Sequence, residues 1–192
     1  DTKDLQKKLF SEIKSKIKLD DESLKFKDDR YFYWTKTVKD GNYVKYLRKK
    51  IDSNDIENYF DGDKEKKLSG SKYFGLGSIS VSHNDKLMAY SVDLKGSEYY
   101  DIFLRDLTTN KAIEEKIENT SGSITWSLDS KSFFYTPLDK YHRSKKIYKH
   151  ILGSSPKSDE LIFEEKDDSY SVSITLTSDE KFFVITTSDS NT

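Results

Sequence analysis

Three histidines, His83, His142 and His150, are the side chains of this 192-residue chain best suited to move protons or hold a metal near neutral pH. Their spacings match no zinc signature, and there is no cysteine to complete one. The lack of cysteine also excludes disulfides and thiolate catalysis. His83 falls in a polar turn, and His142 and His150 flank lysine-rich strand residues, so all three read as turn or solvent-facing side chains. The acidic pairs Glu114-Glu115 and Glu164-Glu165 have the composition for acid–base work, yet at the outer ends of apolar strands they read as charged edge residues that discourage strand addition. Asp61-Gly62-Asp63 hints at a calcium loop but lacks the later glycine and glutamate. GLGSIS at Gly75 resembles a phosphate loop without its third glycine or its lysine, and it precedes a strand, so it reads as a flexible lead-in. A serine nucleophile on a sharp elbow needs Gly-x-Ser-x-Gly, which does not occur. Trp126 has the surface of a binding platform; in phase with Val81 and Leu176 on a repeated strand, it reads as core. No catalytic, cofactor-binding or metal-binding residue is nominated.

The elements that would carry any site are more legible. The stretches ISVSHNDKLMAYS from Ile79, ITWSLDSKSFFYT from Ile124 and ITLTSDEKFFVIT from Ile174 repeat one phrase at intervals of about 45 to 50 residues. Each copy pairs a short strand (Ile79 to Val81, Ile124 to Trp126, Ile174 to Leu176) with a polar turn, a lysine (Lys86, Lys131, Lys181) and a more apolar strand (Leu87 to Val92, Ser132 to Thr136, Phe182 to Thr187). Ser, Asn and Asp in the turns can bond nearby backbone groups and hold the reversal. The first two copies continue into SEYYDIFLRDLTTNKAIEEKI and SKKIYKHILGSSPKSDELIFEEK, each a strand, a turn and a strand. Four-stranded units at this period have the form of β-propeller blades. One such sheet cannot bury its own faces, whereas like sheets stacked about an axis bury each other's.

Ahead of the repeats, Leu5, Leu9, Ile13 and Ile17 recur every fourth residue beside Phe10, predicting an amphipathic helix of about 15 residues that needs a surface to lie on. Asp1 and Asp4 at its start and Lys14, Lys16 and Lys18 at its end suit the helix dipole. Two aromatic and β-branched runs, about 30–37 and 43–49, flank Asp40-Gly41 and predict a hairpin whose glycine takes a positive φ. A polar loop is expected over roughly 52–72. Arg48-Lys49-Lys50, followed by Asp52, Asp55 and Glu57, reads as a solvated loop and not a nucleic-acid patch.

Hydrophobic residues make up 34% and charged residues 35%, with a net charge of −1, so no general attraction to nucleic acid or acidic membrane is expected. Aromatics at 14% argue against disorder. No apolar run reaches the roughly 18 residues of a membrane span, and no leader-like segment opens the chain. A cytoplasmic location is the expectation. Asn119-Thr120-Ser121 fits a glycosylation sequon, but nothing else suggests secretion.

With these residues in view, GSISVSHNDKLMAYSVDLKGSEYYDIFLRDL, TSGSITWS and FEEKDDSY resemble the oligopeptidase B (protease II) branch of the prolyl oligopeptidase family, and the likeness runs from Asp4 to Ile185. The resemblance implies cytosolic serine peptidases in which a seven-bladed propeller caps an α/β-hydrolase domain and admits only short peptides, cleaved after Arg or Lys. It places the catalytic Ser, Asp and His in the hydrolase domain, so no catalytic residue transfers to any position here. The expected fold is all-β: a partial propeller of about three to four blades after an N-terminal amphipathic α-helix. Residues 1–24 would be helix and lead-in. Residues 25–192 would be the incomplete propeller, comprising a first partial blade and loop (25–72), a blade (73–120), a second blade (121–170) and a half blade (171–192). The leading expectation is a propeller segment, inactive alone and partnered by the hydrolase domain or a separately encoded remainder. The competing one is a non-catalytic interaction module completed by another chain. Neither needs a cofactor.

Overall fold

The computed structural model describes residues 2–189; Asp1, expected to favour the helix start, and Ser190, Asn191 and Thr192 lie outside the described residues. The chain divides into two compact units, 1–69 and 70–192.

In the first unit, α1 (Lys3–Lys16) has Asp4 in its first turn and Lys14 and Lys16 in its last, as the dipole favours. None of its residues is buried; Leu5, Leu9, Phe10, Ile13 and Ile17 all face solvent. A sheet follows, made of β1 (Asp21–Glu22), β2 (Phe26–Asp28), β3 (Tyr31–Thr37), β4 (Lys45–Lys50) and β5 (Ile56–Asp61), and α2 (Gly62–Ser69) closes the unit. β1 and β2 both pair with one edge of β3, and β4 and β5 follow on the other. The predicted hairpin is β3–β4, with Tyr33 opposite Arg48 and Trp34 opposite Leu47.

Three expectations change in this unit. The loop foreseen over 52–72 contains β5 and α2: IENYFD pairs with β4 despite its polar composition. Arg48-Lys49-Lys50 is strand, not loop, and Arg48 is 3% exposed. Its guanidinium carbon lies 4.4 Å from the Tyr31 ring centroid and its Nε donates to Glu57 at 2.7 Å, so stacking and pairing compensate the buried charge. Gly41 is absent from the positive-φ residues; a Cβ there would come within 2.7 Å of both Asp63 Oδ2 and Val38 Cγ2, so glycine supplies room instead of a turn conformation.

Among its described residues the second unit holds three antiparallel sheets in chain order. One comprises β6 (Gly75–Val81), β7 (Leu87–Asp93), β8 (Tyr100–Asp106) and β9 (Lys111–Thr120). The next comprises β10 (Thr125–Trp126), β11 (Ser132–Tyr135), β12 (Lys146–Ile151) and β13 (Glu160–Glu164); the last is the hairpin β14 (Ser171–Leu176) and β15 (Phe183–Ser188). We number them second, third and fourth after the sheet of the first unit. GLGSIS is not a flexible lead-in but the start of β6, with a register shift between Leu76 and Ile79. A Cβ on Gly77 would meet Ser91 Oγ at 2.5 Å, the hydroxyl that accepts the Ser78 N–H; the bulge needs a residue without a side chain.

The repeated phrase folds into one repeated turn. Ser82, Ser127 and Thr177 each donate a hydroxyl hydrogen bond to Asn84, Asp129 or Asp179, at 2.8, 2.6 and 2.6 Å. Each hydroxyl also accepts the N–H of the residue five positions on: Leu87, Ser132 or Phe182. Asp85, Ser130 and Glu180 take positive φ of 60°, 58° and 57° at matching positions. Hydroxyl and carboxamide or carboxylate thus hold a left-handed residue that is not glycine.

The third sheet buries both faces. Phe133 and Tyr135 join Ala89, Ile102, Leu104 and Ile117 of the second sheet, and Trp126, in one core. Phe134 and Ile147 point the other way and pack with Val172 and Ile174 of the fourth. This is the alternation of a strand covered on both sides. The leading strands lie side by side: Trp126 Nε1 donates to Ser80 O and Thr125 Oγ1 to Ile174 O, each at 3.0 Å.

Candidate functional site

Chemistry-bearing residues gather at three places in the second unit. At the hairpin tips, the Asn84 N–H donates to Ser130 Oγ at 3.0 Å, and His83 Nδ1 lies 3.5 Å from Glu180 Oε1. His83 is a turn residue as expected. The tips of the second and fourth sheets therefore approach each other beside that of the third.

At the opposite strand ends, Asp139 organises the loop between β11 and β12. Its carboxylate accepts the N–H groups of Tyr141 and Arg143 and the Arg143 Nε–H at 2.7, 3.0 and 2.8 Å. The Arg143 hydrogen bond holds the Asp139 carboxyl down at about 2. Arg143 also reaches Asp168 at 3.0 Å, and exposed His142 packs against Tyr99 with the rings tilted and centroids 4.1 Å apart. Nearby, burial pushes the Asp93 carboxyl up, but the amides of Lys95, Glu98 and Gly96 outweigh it and hold the group below the ordinary range.

The third place lies between the second and third sheets and overturns the reading of His150. This histidine is 0% exposed, not turn or solvent-facing. β12 alternates, so Ile147 enters the core shared with the fourth sheet while Tyr148 and His150 face the second. His150 Nδ1 lies 2.8 Å from Asp159 Oδ1, and Nε2 lies 3.0 Å from Glu115 Oε2 on β9. Tyr135 donates its hydroxyl to the other Asp159 oxygen at 2.8 Å. Burial and then this hydrogen bond raise the Tyr135 phenol above its usual range. Glu115 is therefore not an edge charge, whereas Glu114 and Glu164 are exposed, Glu164 pairing with Lys146 at 3.1 Å. Neighbouring Tyr135, a cleft of about 410 Å³ is lined by Lys116, Glu118, Pro137 and Lys157 among others.

The remaining candidates serve structure. Trp126 is core, 2% exposed. Asp61 Oδ1 accepts the Lys64 N–H at the start of α2, and Asp63 accepts the Asn42 N–H, so this acidic triplet joins strand, helix and loop. Among the described residues no group of three or more potential ligands converges as a metal site. Among the described residues, the partners of the three histidines are carboxylates and aromatic rings. Sequence reasoning missed the His150 cluster; its one local signal is that His150 shares the strand phase of Tyr148.

The whole chain, residues 1–192, matches the family described as prolyl oligopeptidase, N-terminal beta-propeller domain. Among curated proteins it is 29% identical to dipeptidyl aminopeptidase BI of Pseudoxanthomonas mexicana, over 95% of this chain and 27% of that protein. It is 28% identical to protease 2 of Moraxella lacunata, over 85% of this chain and 24% of that protein. The chain thus spans about a quarter of the length of these relatives. Among solved structures, oligopeptidase B from Leishmania major superposes with a TM-score of 0.88 at 26% identity, covering 96% of this chain and 26% of that one. Oligopeptidase B from Trypanosoma brucei gives 0.85 at 29% identity, covering 97% and 26%.

Proposed function

The chain belongs to the prolyl oligopeptidase family, by its N-terminal β-propeller domain, and from that premise we propose that it is the leading part of the propeller of an oligopeptidase-B-like serine endopeptidase. In this reading its sheets are successive blades of a seven-bladed ring. The ring packs on a C-terminal α/β-hydrolase domain, or on a separately encoded remainder, that carries the catalytic serine. It restricts access to short peptides cleaved after Arg or Lys, in the cytoplasm. The observation that carries the proposal is the third sheet, packed on one face against the second and on the other against the fourth, with the leading strands side by side. A unit covered on both faces by like units is what a propeller wall requires.

The test exchanges residues 2–189 for the equivalent segment of a related oligopeptidase B and assays short Arg- and Lys-peptides beside an unfolded full-length protein. Retained cleavage of the peptides with exclusion of the protein is expected. A chimera that cleaves both equally refutes gating. The chain alone should not hydrolyse a basic ester or amide; turnover abolished by a serine-directed inhibitor would contradict the assignment.

A second reading, a non-catalytic module completed by another chain, is favoured by β15. No charged residue lies in Phe182–Ser188, and Phe182, Phe183, Val184 and Ile185 are exposed. Such an uncharged edge invites strand addition. Light scattering addresses it: a chain awaiting strands self-associates, and a stable monomer opposes the reading.

A further inference from the structure

We infer that His150, Glu115 and Asp159 form a proton-held latch across the seam between the second and third sheets, with the ring carried as an imidazolium and the seam loosening when that proton leaves. This rests on the geometry of the cluster and not on the peptidase reading. A neutral imidazole has one N–H, and an ionised carboxylate only accepts. Here both ring nitrogens face carboxylate oxygens, at 2.8 and 3.0 Å. One proton beyond those of a neutral ring and two carboxylates is needed to fill both contacts. Asp159 already accepts from Tyr135 on its second oxygen, which suits its ionised form. A doubly protonated ring between two carboxylates fills every contact with a charge-assisted bond. The ring is fully buried, so water cannot substitute for the missing hydrogen.

The cluster ties two sheets. Glu115 stands on β9 of the second; His150 on β12 and Asp159, just ahead of β13, belong to the third. The Phe133 ring, 5.3 Å from the imidazole, separates it from Trp126, whose centroid is 5.4 Å from that of Phe133. Among the described residues, the titratable groups that face the ring or its partners are Glu115 from β9, Tyr135 from β11, Asp159, and Tyr148 from β12, stacked on Tyr135. When a proton passes from the ring to solvent base, Nδ1–H stays on Asp159. The Nε2 lone pair then meets the Glu115 carboxylate, two acceptors 3.0 Å apart. The bond that breaks is the one crossing between sheets.

The test uses the whole chain labelled with nitrogen-15. At neutral pH both His150 ring nitrogens should resonate as protonated. As pH rises and the ring becomes neutral, the Trp126 indole N–H, which crosses the same seam to Ser80 O, should exchange with water at least tenfold faster than in Glu115→Gln at the same pH. In that variant the carboxamide can donate to an unprotonated Nε2, so the ring should be neutral, protonated on Nδ1 alone, with the seam closed throughout. The inference is overturned by a wild-type ring carrying one hydrogen at neutral pH, or by Trp126 exchange that matches the variant across the ring's titration. If the variant fails to fold, the wild-type ring resonances decide alone.

Discussion

The two seams on either side of the third sheet are built from one strand and finished differently. SFFY of β11 sends Phe133 and Tyr135 to the second sheet and Phe134 to the fourth. Toward the second sheet, seven buried residues among those described close over the His150 cluster, in which both ring nitrogens face carboxylate oxygens. Toward the fourth, four of the described residues are buried, and on β15 Phe183 and Ile185 each keep 37% of their surface open. Apolar alternation alone makes a seam, then, but the four-stranded second sheet covers its side more fully than the two strands β14 and β15 cover theirs.

The contrast is sharpest for core truncation. Phe133→Ala, at a residue 0% exposed, should cost about 3–5 kcal/mol in urea denaturation. Val172→Ala in the thinner seam should cost roughly 2 kcal/mol or less. A Val172 variant as damaging as the Phe133 one would show the seams to be equal. The repeated turns make a finer comparison. Ser127 is buried, and Ser127→Ala leaves the buried Ser132 N–H and carbonyl without the hydroxyl that pairs with them, for a loss of about 1–3 kcal/mol. The same change at Thr177, where solvent replaces the hydroxyl, should cost about 0.5–1 kcal/mol; equal costs would deny that burial sets the difference. At the open edge, Val184→Lys should change the unfolding free energy by no more than about 0.5 kcal/mol while reducing self-association in light scattering. Unchanged association would place the sticky surface elsewhere.

The smallest effect concerns Asp139, held at about 2 chiefly by its Arg143 hydrogen bond. Because its folded value lies below the unfolded one, near 3.9, its contribution is complete above about pH 4 and lost as pH falls through about 2. Arg143→Met should move the Asp139 titration, followed by carboxyl NMR, back toward the ordinary range. No movement would assign the depression to the loop amides of Tyr141 and Arg143.

The hairpins of the second unit were legible because turn, lysine and apolar strand repeat together, so local chemistry and long-range periodicity agree. β5 and α2 were not. IENYFD has one buried residue, Phe60, and α2 buries only Gly62 and Glu65, leaving little periodicity to detect. β1 is two acidic residues with no apolar position to show a pattern; pairing with Thr37 and Lys36 makes it a strand. For the His150 cluster, the phase shared with Tyr148 places the ring on a face but names no partner. Glu115 is 35 residues away, and only the stacking of two sheets brings it to the ring.

The paired aromatics of β11 carry a hidden hazard. A slip of one residue would swap Phe134 for Phe133, and each core would still receive a ring, so greasiness alone cannot tell the strand where to stop. The gauge has to be polar: Ser127 gripping Ser132 at one end and the Tyr135 hydroxyl reaching Asp159 at the other. A chain that lost both marks would be expected to fold to mixed alignments of similar energy, compact and yet without a single address for each ring.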